Sequence, residues 1–104
     1  MLDSLLQKMV DTNASDLFVT AGFPVSAKIN GKLTPVTDSA TSEEASLALV
    51  HEAMTDKQRD EFHTSKECNF AIVRDGIGRF RCSAFWQRDL SLIHISEPTR
   101  QAEI

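Results

Sequence analysis

Between Val25 and Val36, two short alternating runs, VSAKI and KLTPV, are separated by Asn30-Gly31. A two-residue type I′ connection needs positive φ at both central positions, and Asn followed by Gly supplies it at low steric cost. The pair therefore predicts a tight antiparallel hairpin and commits the chain to a sheet assembled through local turns. Pro35 has no N–H to give to a ladder, so the second hairpin strand is expected at a sheet edge or near its own end. Asp16–Thr20, DLFVT, is rich in β-formers. It reads as a further strand, leading into the hairpin through the turn Ala21-Gly22-Phe23-Pro24.

The remaining elements follow from periodicity. Leu2, Leu5, Leu6, Met9 and Val10 recur at helical spacing and predict an amphipathic first helix, broken at Asp11-Thr12-Asn13. Thr41, with Glu44 three residues on, reads as a capping box. It opens a helix whose apolar face is Ala45, Leu47, Leu49, Val50, Ala53 and Met54. Thr55-Asp56-Lys57-Gln58 repeats that pattern and predicts a short polar helix ending near Phe62. Cys68–Val73 lacks polar alternation and is expected to be a central strand. After the turn Asp75–Gly78, the chain alternates from Arg79 to Gln87. Phe80, Cys82, Ala84 and Trp86 share one face; Arg79, Arg81, Ser83 and Phe85 share the other. The order is α-β-β-β-α-α-β-β. Strands joined by short turns argue for an α+β domain, a mainly antiparallel sheet packed by helices. The 104 residues suffice for one core. No internal repeat, low-complexity segment or interdomain linker interrupts them.

Composition excludes several function classes. The formal net charge is −4, which argues against a nucleic-acid surface spread over the domain while leaving room for a local basic patch. Hydrophobic residues make up 41%, yet no apolar run approaches the roughly 18–20 residues of a membrane span. The start, Met1-Leu2-Asp3, has no basic segment followed by a long apolar one, so no secretory signal is read there. Cys68 and Cys82 are too few for a disulfide framework, and a reduced, cytoplasmic setting is the simplest expectation.

Few constellations could carry chemistry. DGIGRF (Asp75–Phe80) contains Gly-x-Gly, but the full dinucleotide fingerprint is absent and a strand follows; a hairpin turn accounts for it. No G-x-x-x-x-G-K-[ST] phosphate loop occurs. His51, His63, Cys68 and Cys82 fall at no metal-ligand spacing and read as surface imidazoles and buried thiols. No Ser-His-Asp set can be singled out. Glu43, Glu44, Asp56, Asp60 and Glu61 gather at helix starts and exposed faces, where capping and the helix dipole explain them. The arginines remain. Arg79 and Arg81 project to one face, and Arg88 falls on the opposite parity if the strand stays regular. A planar guanidinium fork on a rigid strand suits bidentate phosphate contact. A solvated strand face, or pairing with the acidic helices, fits the spacing as well.

Three blocks in order carry a resemblance: Ala14–Val36 (ASDLFVTAGFPVSAKINGKLTPV), Glu67–Ile72 (ECNFAI) and Gly78–Arg88 (GRFRCSAFWQR). Residues 1–89 resemble the N-terminal domain of type IV pilus retraction ATPases of the PilT/PilU family, with SDLFVTAGFP and ECNFAI nearer the PilU-like branch. The resemblance implies a PAS-like α+β domain of a cytoplasmic, hexameric twitching-motility motor at the inner-membrane pilus base. In such a motor the RecA-like ATPase domain carries the Walker motifs and uses ATP and Mg2+. No cofactor is expected in these 104 residues themselves, and no ATP hydrolysis by them alone. The implied partners are the RecA-like domain of the same or a neighbouring protomer, the other subunits of a homo-hexamer and the pilus-base machinery; nucleic acid is not among them. The resemblance further implies that Arg81 approaches nucleotide phosphate in the intact motor, offsetting its charge and coupling nucleotide state to domain rotation. Arg79 would be an accessory neighbour.

After Leu90 the chain departs from the family. Residues 1–90 are expected to form the domain, and 91–104, SLIHISEPTRQAEI, to be a non-native tail resembling translated read-through. Ser96 stands where the family would place a further phosphate-facing arginine. Leu92, Ile93 and Ile95 could still pair as a weak substitute strand, ended by Pro98. Two other functions compete: a free-standing PAS-like module holding a small ligand with Phe18, Phe70, Phe80 or Trp86, and a pure protein-interaction domain. Core packing is the plainer account of those aromatics.

Overall fold

The structure, a computed structural model, describes residues 2–87 and 90–96. In chain order the elements are α1 (Leu2–Asp11), β1 (Asp16–Thr20), β2 (Ser26–Ile29), β3 (Lys32–Pro35), α2 (Glu43–Glu52), α3 (Asp56–Ser65), β4 (Glu67–Arg74), β5 (Gly78–Gln87) and β6 (Leu90–Ser96). The six strands form one sheet in the order β3-β2-β1-β6-β5-β4, and every ladder in it is antiparallel. The α2–α3 segment carries the chain from one sheet edge to the other. The α+β expectation holds, with a ninth element added to the eight read from sequence.

Local chemistry sets the boundaries. In α1, Leu2, Leu5, Leu6 and Met9 are buried, whereas Val10 is exposed and not part of the stripe expected of it. Asn13 takes φ 61° and the Ala14 N–H reaches back to the Met9 carbonyl at 2.8 Å, which closes the helix by a left-handed cap. At the β2–β3 hairpin, Asn30 and Gly31 have φ of 52° and 80°, the pair of positive values a type I′ turn demands. β3 lies at the edge, as Pro35 requires.

Three expectations need correction. The N-cap of α2 is Ser42, whose hydroxyl accepts from the Ala45 N–H; Thr41 is instead buried and bridges to Ala21. A Thr-Ser-Glu-Glu run offers two capping registers, and the bridge decides between them. Thr55 and Gln58 do form the expected capping box, but α3 runs on to Ser65, where Lys66 at φ 66° ends it. β4 is an edge strand, not a central one. Its apolar run arises because Ala71 and Val73 are exposed, facing away from the helices, while Cys68 and Ile72 face the core.

The core joins Leu6 and Met9 of α1, Leu49 and Val50 of α2 and Phe62 of α3 to the inward side of the sheet. Leu17, Val19, Phe80, Cys82, Ala84, Ile93 and Ile95 supply that side. β6 is central: it pairs with β1 over Leu92–Ser96 and with β5 over its whole length. Ile93 and Ile95 are fully buried, and the buried Ser46 hydroxyl of α2 donates to the Ser91 carbonyl at 2.8 Å. The stretch expected to pair weakly thus joins the two halves of the sheet. Arg88, Pro98 and the rest of 97–104 lie outside the described residues.

Candidate functional site

β5 displays the two arginines. Its alternation sends Phe80 and Cys82 into the core, each with no exposed surface, and turns Arg79 and Arg81 to the uncovered side. Register then fixes their neighbours. Arg79 sits opposite Val73; Arg81 sits between Ala71 of β4 and Ser96 of β6. Asp16 follows beyond Ser96 and Lys28 beyond Asp16. With strands about 4.8 Å apart, the Arg81 and Asp16 backbones are about 10 Å apart. Ser96 is therefore immediately beside Arg81.

The ion pairs among the described residues are Arg59–Asp56, Arg74–Asp3 and His94–Asp16. Arg79 and Arg81 belong to none of them, and their guanidinium groups make no hydrogen bond to another described residue. The ion-pair reading of the sequence is thus removed; a solvated face or an external anion remains. Arg74 is occupied by Asp3 at 3.0 Å, which separates it from the other two strand arginines. The small Ala71 beside Arg81 leaves the fork room to approach a planar or tetrahedral anion.

The same face carries a group that sequence reading missed. His94 stacks on Phe18 with ring centroids 4.7 Å apart, and its Nε2 lies 2.8 Å from an Asp16 oxygen. Burial alone would raise the Asp16 carboxyl. Hydrogen bonds from Ser15 and His94, with the charges of His94 and Lys28, outweigh burial and hold it below its ordinary value. The strand register, unreadable without β6, was the missing signal.

The aromatic candidates for a ligand pocket do not converge. Phe18 is on the uncovered face, Phe80 is wholly buried in the core, and Trp86 stacks on Phe62 at 5.2 Å. Phe70 only packs against the core from its margin. The thiols are buried, as expected. Burial pushes Cys82 up to about 12 against the opposing charge of Arg74, and burial with the Glu61 carboxylate raises Cys68. Neither is poised as a thiolate. His51 and His63, unrelated by spacing, meet across α2 and α3 with Nε2 atoms 2.8 Å apart. Burial, His63 and Arg59 hold the His51 imidazole below its usual value.

The fit to ATP and Mg2+ is partial. Arg79 and Arg81 suit a phosphate brought to the face. No group of three or more His, Cys, Asp or Glu side chains among the described residues could hold a metal ion. Nor is any described helix long and apolar enough to cross a membrane.

Comparison with known proteins bears on the sequence and the fold. No family model matches the chain. It is 50% identical over 88 residues to the type IV pilus ATPase PilU of Pseudomonas aeruginosa, covering 85% of this chain and 23% of that protein. It is 31% identical over 86 residues to the type IV pilus retraction ATPase PilT of the same organism, covering 83% and 25%. The chain thus spans about a quarter of the length of these relatives. The crystal structure of the pilus retraction motor PilT with bound ADP superposes with a TM-score of 0.85 at 26% identity, over 93% of this chain and 28% of that one. The Legionella pneumophila ATPase DotB shares the fold at TM-score 0.76 and 20% identity, over 92% and 28%. In sequence and in fold, the chain belongs to the PilT/PilU family of type IV pilus ATPases, as a counterpart of the PilT N-terminal domain.

Proposed function

We propose that this chain is the N-terminal domain of a type IV pilus retraction motor, and that Arg81 serves a nucleotide site held by a RecA-like ATPase domain. Such a motor is a cytoplasmic homo-hexamer at the inner-membrane pilus base, driving twitching motility. ATP and Mg2+ are held by the ATPase domain of the same or a neighbouring protomer. One observation carries the reading: Arg81 is exposed and unpaired among the described residues, on an uncovered face whose backbone is fixed by ladders on both sides. A charge so held needs little reorganisation when a phosphate arrives, and that is the condition under which an arginine stabilises developing phosphoryl charge. Arg79, one strand repeat or about 6.8 Å away, adds field without sharing the contact. Alone, the chain hydrolyses no ATP.

The native domain on this reading is residues 1–90, and 91–104 is a non-native tail whose described part, up to Ser96, completes the sheet. Its support is Ser96, which offers no charge beside Arg81.

The test joins residues 1–90 to the natural downstream reading frame. That frame should contain G-x-x-x-x-G-K-[ST], and the joined protein should turn over ATP. Arg81→Ala should lower kcat by at least about 10-fold, within the range an arginine on phosphoryl charge can reach, with Arg79→Ala losing less. A frame without the phosphate loop, or unchanged kcat and KM in Arg81→Ala, overturns the reading.

A further inference from the structure

The phosphate reading leaves the His51–His63 pair unused. Each imidazole lies in the last turn of its helix, His51 in α2 and His63 in α3. Their Nε2 atoms are 2.8 Å apart, with ring centroids at 5.0 Å and planes inclined at 63°. A hydrogen bond between the rings accounts for that distance. So does another arrangement. Two nitrogens each about 2.1 Å from one ion, at right angles, are about 3.0 Å apart, whereas tetrahedral ligands open to about 3.4 Å. The observed separation stands beside the right-angled case, which tetragonal Ni2+ or Cu2+ adopts, and well short of tetrahedral Zn2+.

The surroundings can be weighed. Two helix C-terminal ends meet here, and their partial negative charges favour a cation. Against it stand Arg59, whose Nε donates to the His51 carbonyl at 3.1 Å, and Lys66, whose ammonium lies 5.6 Å from the Trp86 ring centre. His63 is exposed and His51 half-buried, so the site opens to solvent.

We propose that His51 and His63 form a two-imidazole chelate for a divalent cation of the Ni2+/Cu2+ class, solvent completing the coordination. On binding, the proton shared between the two Nε2 atoms moves to Nδ1 of the ring that carried it. Both Nε2 lone pairs then bind the ion, and a neutral pair releases no net proton. This site is independent of Arg81 and of any ATPase domain.

Trp86 provides the readout. It is the one tryptophan of a chain without tyrosine, and its ring centre lies 5.6 Å from that of His63. Titrating the 104-residue chain with Ni2+ should quench Trp86 fluorescence, saturating at one ion per chain. His51→Gln and His63→Gln should each weaken the apparent affinity about 10²-fold, because losing one arm loses the chelate advantage. His94→Gln, altering an imidazole bonded to Asp16 on the other side of the sheet, should leave the titration unchanged. Circular dichroism confirms that each variant is folded, and either of the first two suffices as the test. Quenching that never saturates, that is the same in a folded His51→Gln or His63→Gln variant, or that is lost in His94→Gln, overturns the proposal.

Discussion

The two faces of the sheet are built from the same strands to opposite ends. Along β5, Phe80, Cys82 and Ala84 are buried under the helices, while Arg79 and Arg81 between and before them are exposed and make no ion pair with another described residue. The covered face holds the domain together. The uncovered face is held still by it and leaves Arg79 and Arg81 without an ion-pair partner among the described residues. Rigidity on one side is what makes the other side usable, since a guanidinium on a mobile segment would lose ordering entropy at each encounter.

That division can be attacked from its strongest point downward. Removing β6, by ending the chain at Gln87, should affect both faces at once. It strips two ladders and the buried Ile93 and Ile95, a loss comparable with the whole stability of a small domain, on the order of 5–15 kcal/mol. Thermal unfolding followed by circular dichroism should lose its cooperative transition; a shortened chain melting near the full one would show that the covered face closes without its central strand. Next, Phe80→Ala on the covered face should cost about 3–5 kcal/mol in denaturant unfolding, as for a fully buried aromatic. Phe85→Ala, five residues on and 38% exposed, should cost clearly less, and equal losses would erase the distinction between the faces.

Acid sharpens the contrast further. The folded Asp16 carboxyl is held below its unfolded value, so its stabilisation is present above the unfolded value and lost as pH falls through the folded one. Asp16→Asn should therefore be less stable than the parent at neutral pH, with the difference shrinking in acid. A gap that stays constant with pH would show that Asp16 acts through shape alone. The smallest effect belongs to Arg81→Ala in this chain by itself. Its unfolding free energy should change by no more than about 0.5 kcal/mol, the usual reach of an exposed substitution away from buried features. A larger loss would reveal a structural role and weaken the case for a phosphate one.

The sequence made some of this legible and hid the rest for physical reasons. The Asn30-Gly31 turn, the Thr55 cap and the β5 alternation were readable because each is a local rule acting within four to ten residues. The same holds for the family, since Ala14–Val36 and Gly78–Gln87 keep their pattern. The placement of β4 at the edge was not readable. An apolar open face mimics a doubly covered strand, and only the sheet order separates them. The centrality of β6 was hidden as well. Its Ile93 and Ile95 are a period-two signal that any sheet gap of the right width will accept, whatever the origin of the residues. His51–His63 and His94–Asp16 lie twelve and seventy-eight residues apart, beyond any spacing rule. The shared face of Arg79 and Arg81 was readable from the alternation; that neither pairs with another described residue required the ladder.

The sheet order also has a consequence for synthesis. Among the described strands, the one joining β1 to β5 is the last in chain order, and Asp16 must wait for Ser96 before their ladder can close. Until then the emerging polypeptide holds two unlinked ribbons, β1–β3 and β4–β5, each showing a raw edge to its surroundings. Such late, distant pairing slows folding and prolongs the exposure of those edges. Whatever sequence fills that central slot, those edges should therefore need protection from other chains until the slot is filled.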